Sequence, residues 1–476
     1  MKKLIFTIFL SITFIHLMYA EDGPNVWSIS LNNAGQIWTI AINPVSQQTM
    51  YAGSNTTGVW KTTNAGLNWA QANTGLTNLT VQTMAISNSN PQVLYCGTSQ
   101  TGSGAGIYKS TDAGTSWTQI NNGITETSLG VQSIAVDRSN PDIAYAAIFD
   151  GVIDAQQGVY KTTNGGTQWN VANTGFGTVK NVLTLIINPL NNNVLYCGTS
   201  FGVTSQMGPP HIYKSVNGAS SWVDVSTGIP NLPTDNKPVR CLSIGTNASD
   251  TNLLLAGIFL NTDSLSGMYV TTNGGGQWVR RHNGLPNAVG TLTRSCLIRP
   301  GSNMEFFAGI GNATNSNIGI FRTTNAGLSW SSFSGGTMDN TITIRALNFK
   351  TFNQTLYAGC AHPTLATGQG VMEYTFTGTG IGNQNGNTPE QFSLKQNYPN
   401  PFNPRTIIGY ELSHSSNVSL RVYDALGKEI STLVDLKQNA GIYEVVFDGS
   451  KLSSGVYFYR LSADGVVLGK SMTILK

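Results

Sequence analysis

The chain has 476 residues, only 10% of them charged, and a net charge of +3 at neutral pH. So weak and dilute a charge excludes an electrostatic partnership with nucleic acid or a membrane surface. The length allows two or three domains, and the 53 glycines call for many turns, a composition suited to a β-rich extracellular protein.

Residues 1–20 have the layout of a secretory leader. Lys2 and Lys3 precede an apolar run from Leu4 to Met18, and Tyr19-Ala20 before Glu21-Asp22 offers a cleavage site. The run is short for a bilayer span, and no cysteine follows it to carry a lipid. No other segment could cross a bilayer, so no membrane span is expected once the leader is removed. Five cysteines follow at 96, 197, 241, 296 and 360, an odd number that leaves at least one unpaired. None have metal-ligand spacing. Cys96, Cys197 and Cys241 fall in columns otherwise held by Ala, Thr or Ser, which predicts small buried thiols.

From residue 27 onward the chain repeats. One octet recurs at Thr62–Trp69, Ser110–Trp117, Thr162–Trp169, Ser215–Trp222, Thr271–Trp278 and Thr323–Trp330. The tryptophans are 48, 52, 53, 56 and 52 residues apart, the length of a four-stranded propeller blade. Each unit holds an alternating strand such as Gln82–Ile86, then a Tyr-small-Gly strand such as Tyr95-Cys-Gly97, then a strand ending in an aromatic and a base, such as Ile107-Tyr108-Lys109. The octet closes the next hairpin. Its Asn64 or Asp112 can bond its own backbone. The following Gly allows a positive φ, and the Trp plugs the core. The fourth copy has Ala219 in place of that Gly, so its turn is expected to be looser.

The octet resembles the aspartate box, S/T-x-D/N-x-G-x-x-W, of sialidases, sortilin-type receptors, xyloglucanase-type glycosidases and photosystem-assembly-factor propellers. That resemblance implies that the boxes are structural and that ligands bind the opposite face. The face in question carries the loops between second and third strands and between blades.

A seventh unit, with Arg345–Phe349, Tyr357–Gly359 and Gly370–Glu373, lacks an octet. Trp27-Ser-Ile-Ser-Leu31 precedes the first unit by the interval seen after every octet Trp, so it is expected to supply the missing strand. The fold class predicted is all-β: a seven-bladed propeller over 24–378, its ring closed so that no sheet edge is left between first and last blades.

One column on the candidate binding face stands out. Where the innermost strand begins, the seven units have Trp38, Gln82, Gln132, Leu183, Arg240, Arg294 and Arg345. Three successive arginines make a site for an anion or carboxylate. Alternatively, each could pair with a local acid or lay its stem over the channel rim. Phe149-Asp150, Phe201 and Phe259 fall in the loops between second and third strands, with Asp154, Asp263 and His362 nearby. Exposed aromatics beside polar groups can stack on sugar rings.

No catalytic residue, metal or cofactor is assigned. There is no P-loop, zinc motif or dinucleotide fingerprint. The acidic-Gly-Gly signatures of xyloglucanase-type enzymes and the Arg-Ile-Pro motif of sialidases are missing. The function expected is therefore non-catalytic binding of an extracellular protein or glycan. The alternative is a glycoside hydrolase using Asp150, Asp154 or Asp263.

Residues 379–391 read as a polar linker. Beyond it, 392–476 carries short alternating strands at Ile407–Leu412, Val418–Tyr423, Gly441–Phe447 and Gly455–Leu461, the pattern of a small immunoglobulin-like β-sandwich. Tyr398-Pro-Asn-Pro-Phe402-Asn-Pro, Val422-Tyr-Asp-Ala-Leu-Gly427, Gly441-Ile-Tyr, Leu452–Tyr459 and the terminal Lys470–Lys476 resemble the type A sorting domain of the type IX secretion system. The resemblance implies that residues 392–476 engage that secretion machinery. It also implies that the domain carries no chemistry and that the protein, once in the periplasm, is secreted or placed on the outer-membrane surface.

Overall fold

The computed structural model describes residues 27–475 except 100–103, 125–128, 150–156, 178–179, 201–210, 231–237, 248–249, 259–265, 287–291, 312–317, 336–337, 339–341, 352–353, 362–368, 377–390, 398–399, 403–404, 439–440 and 451. The described residues form strands and turns, with no helix among them.

Seven four-stranded antiparallel sheets make the blades. Their innermost strands are Ile37–Ile42, Val81–Ile86, Val131–Val136, Asn181–Asn188, Val239–Ile244, Leu292–Ile298 and Thr343–Lys350. Each innermost strand packs against that of the next blade, and the last packs against the first. The ring is closed. The hydrophobic core runs between blades. Ala41 and Tyr51 of blade 1, for instance, share a cluster with Val81, Leu94, Cys96 and Trp117 of blade 2 and its neighbouring turn. The Tyr-small-Gly motif serves this packing. A Cβ on Gly97 would lie 2.5 Å from Val131 and 2.7 Å from Thr83, so only glycine lets the next innermost strand come this close.

Blade 7 is completed from the other end of the sequence. Trp27–Asn32 pairs antiparallel with Gln369–Thr375, and Trp27 faces Tyr374. Trp27 also does what the octet tryptophans do. Trp117, Trp169, Trp222, Trp278 and Trp330 donate Nε1–H to the carbonyls of Ala72, Ile120, Ala172, Val225 and Arg281, just past the preceding outer strand, at 2.8–3.0 Å. Trp27 donates to the corresponding Phe333 carbonyl at 2.7 Å. Trp69 differs, donating to the Ser30 hydroxyl at 3.3 Å, because the strand before it is the N-terminal one. The missing octet has a simple cause. An octet joins third strand to fourth, and in blade 7 those two strands are not consecutive in the chain.

All six octets share one bond pattern. In the first, the Thr62 hydroxyl donates to Asn64 Oδ1 at 2.9 Å and accepts the Gly66 N–H at 3.1 Å, while Asn64 Oδ1 accepts the Asn68 N–H at 3.0 Å. The fourth corrects the expectation of a looser turn. Ser215 bonds Asn217 at 3.0 Å and the Ala219 N–H at 2.9 Å, and Asn217 bonds the Ser221 N–H at 2.9 Å. The penalty lies instead in the backbone, with Ala219 at φ 65°. A methyl-bearing residue there costs about 1 kcal/mol. Ala219→Gly should therefore raise stability by somewhat less than 1 kcal/mol, after its greater unfolded-state entropy is counted. An unchanged urea midpoint would refute this.

All five cysteines are free and buried, including Cys96, Cys197 and Cys241, for which the repeat columns suggested it. Burial pushes the thiols of Cys96 and Cys360 well above their ordinary range.

The C-terminal segment is a two-sheet sandwich. One sheet has Ser393–Leu394, Arg405–Leu412 and Gly441–Asp448, and the other has Glu429–Gln438, Ser416–Tyr423, Gly455–Ala463 and Val466–Ile474. Tyr410, Leu420, Val422, Tyr459 and Met472 fill the space between them. Glu429–Gln438 and Val466–Ile474 are edge strands that the sequence pattern did not reveal. Each mixes charged or small residues into its run, as exposed edges do.

Candidate functional site

The column residues hold an unusual backbone position. In every blade the pairing of first and second strands skips one residue, the signature of a β-bulge. The skips fall between Ile37 and Thr39, Val81 and Thr83, Val131 and Ser133, Val182 and Thr184, Val239 and Cys241, Thr293 and Ser295, and Ile344 and Ala346. The residues skipped are Trp38, Gln82, Gln132, Leu183, Arg240, Arg294 and Arg345. They sit one or two residues inside the strand, not at its first position as the sequence reading had it. A bulge re-aims its side chain and raises local twist. Seven bulges in register thus give the ring one circle of independently chosen side chains.

Several of those side chains meet across blades. Gln132 Nε2 donates to Gln82 Oε1 at 3.3 Å, linking blades 3 and 2. The Arg345 guanidinium lies 5.0 Å from the Trp38 ring centre, linking blades 7 and 1. The positive charges of Arg240 and Arg345 act on Arg294, and that of Arg240 also acts on Arg345, two blades away. Burial first, and this repulsion second, hold Arg294 down to about 9 and Arg345 to about 10. Arg240 is lowered by burial alone.

No described carboxylate offsets these charges. None of the ion pairs among the described residues involves Arg240, Arg294 or Arg345. The Nε atoms of Arg294 and Arg345 are buried without a hydrogen-bond partner. Pairing with a local acid, the alternative raised from sequence, is not what the described residues do. Arg294 is instead steered by packing. A Cβ on Gly311, at the end of the second strand, would lie 2.7 Å from Arg294 Nε. Sequence reading gave no signal for Gly311.

Of the aromatic group, Phe149 is half-buried and its N–H bonds the Gly130 carbonyl at 2.8 Å. Asp150, Asp154, Phe201, Phe259, Asp263 and His362 lie outside the described residues.

Residues 396–474 match the family of secretion system C-terminal sorting domains. The chain therefore carries an export address of the type IX kind, and its destination is the medium or the cell surface. No curated protein matches the chain. Among solved structures, an ancestral GH74 enzyme is similar at 17% identity and a TM-score of 0.52 over 94% of this chain. The chain spans 63% of that enzyme's length, and at this identity the likeness is one of fold. YCF48 from Cyanidioschyzon merolae is similar at 12% identity and a TM-score of 0.49, over 74% of this chain and 99% of that one.

Proposed function

We propose that the protein is an exported, non-catalytic β-propeller that binds a protein or glycan at the mouth of its channel. Three column arginines on successive blades with no described counter-charge carry this reading. Isolated like charges in a half-desolvated ring lower the stability of the free protein, a cost that ligand binding offsets. In this reading residues 1–20 are the cleaved leader, 24–378 the ring, 379–391 the linker and 392–476 the sorting domain handed to the type IX machinery. The octets are aspartate boxes that brace the far face. In this reading the contact surface includes Trp38, Gln82, Gln132, Arg240, Arg294 and Arg345, with Phe149, Asp150, Phe201 and Phe259 as further candidates taken from the sequence.

A glycan array followed by prolonged incubation with each bound glycan tests the proposal. The expected result is saturable binding with no new reducing ends. Release of reducing sugar that disappears in Asp150→Asn, Asp154→Asn or Asp263→Asn would overturn it in favour of a glycoside hydrolase.

A further inference from the structure

The circle of bulge residues is not uniform. Arg240, Arg294 and Arg345 hold one arc, Trp38, Gln82 and Gln132 hold another, and Leu183 stands between the two arcs. The two arcs suit different chemistry. Guanidinium groups on consecutive blades call for acid on the ligand, and acid groups that repeat along a chain can meet each of the three strands in turn. The Nε atoms of Arg294 and Arg345 are buried without partners, but both residues stay partly exposed and Arg240 is exposed, so a ligand has the outer guanidinium nitrogens to meet.

The opposite arc is uncharged. Its amides are already paired at 3.3 Å, which fixes their planes and leaves further donors and acceptors for hydroxyl groups. Trp38 offers an aromatic surface, one face of which is covered by Arg345. Aliphatic surface, which peptide side chains need for anchoring pockets, is limited in this circle to Leu183. The combination of repeated acid and abundant hydroxyl is that of a uronate polysaccharide.

We propose, resting on the binding function above, that the circle reads an acidic polysaccharide whose successive carboxylates fall on Arg240, Arg294 and Arg345 while its hydroxyls face Trp38, Gln82 and Gln132. The depressed basicity of Arg294 and Arg345 agrees with this, since both positive charges are raised in energy until an anion arrives.

The test is calorimetric titration of the full chain with trigalacturonate, with its methyl-esterified form, with a neutral cello-oligosaccharide and with oligoglutamate. Trigalacturonate should bind, and binding should weaken steeply between low and high salt. Arg240→Gln, Arg294→Gln and Arg345→Gln should each weaken it by about tenfold to a hundredfold. Each variant should unfold at the wild-type temperature or above, because each removes a repelling charge. Gly311→Ala, which changes no charge but pushes on Arg294, should weaken binding as well. Equal binding of the methyl ester would overturn the acid-reading inference and leave the binding function standing. Arginine-dependent binding of oligoglutamate without trigalacturonate would replace the polysaccharide by an acidic peptide. Binding of none of the four overturns the inference, and sugar release from a bound glycan would overturn the binding function itself.

Discussion

Replacing Trp27 by alanine should cost about 3–5 kcal/mol, the usual range for emptying a buried tryptophan site. The side chain is 1% exposed. Its ring lies 6.0 Å from that of Phe333 and 5.4 Å from that of Tyr374. Its Nε1–H is the bond that ties blade 7 to blade 6. Trp169→Ala, at an equally buried site, should cost a similar amount, so urea midpoints alone would not separate the two. Their failures should differ. Trp169 follows a hairpin that joins its strand covalently to the third strand of the same blade. Trp27 heads a strand attached to blade 7 only by pairing, so its loss frees the Gln369–Thr375 edge and should bring concentration-dependent association. Light scattering during mild denaturation would show this for Trp27→Ala and not for Trp169→Ala. The same behaviour in both variants would mean that the N-terminal strand is not the closure.

Glu305→Ala should cost about 3 kcal/mol. This carboxylate is 8% exposed and joins two arginines, Arg299 at 2.5 Å and Arg322 at 2.7 Å. Both guanidiniums flank the Phe376 ring, at 4.7 and 5.3 Å, with Phe349 and Phe333 on their other sides. The stack spans blades 6 and 7 where the chain leaves the ring. Removing Glu305 strands two positive charges against aromatic walls, the situation in which a broken buried pair is expensive. The pair Lys109–Asp142, at 3.2 Å, whose carboxylate is exposed, makes the contrast. Asp142→Ala should cost under about 1 kcal/mol. Thermal unfolding of the two variants checks the difference, and equal losses would rule out the stack as a closure element.

Much of the fold was legible because repetition turns weak signals into strong ones. Trp27 could be placed in blade 7 from spacing alone, since it stands before the first unit as every octet tryptophan stands before the next. The column of Trp38, Gln82, Gln132, Leu183, Arg240, Arg294 and Arg345 was likewise visible as an alignment. Its bulges were not, because a bulge is a fact about pairing and one strand's sequence does not reveal its partner's register. The turn at Ala219 misled for a related reason. Sequence reports that an alanine is strained in a left-handed turn, but not that the surrounding bonds hold it there regardless. Whether an arginine meets an acid depends on residues far apart in the chain, so the lack of a described acid partner for Arg294 and Arg345 emerged only in three dimensions. The two edge strands of the sorting domain escaped notice because exposed strands need no alternating pattern.

The first and last strands of the ring meet where a hairpin would otherwise be. Thr375 and Trp27 close adjacent strands of the same blade, at the place occupied in every other blade by an octet. The ring therefore has an interchangeable origin. A circularly permuted chain, with an octet linking Thr375 to Trp27 and new termini opened in the turn at 45–48, should fold to the same propeller with a turn of the common kind in all seven blades. It would also separate two duties that blade 7 combines, closing the circle and carrying the segment that leads to the sorting domain.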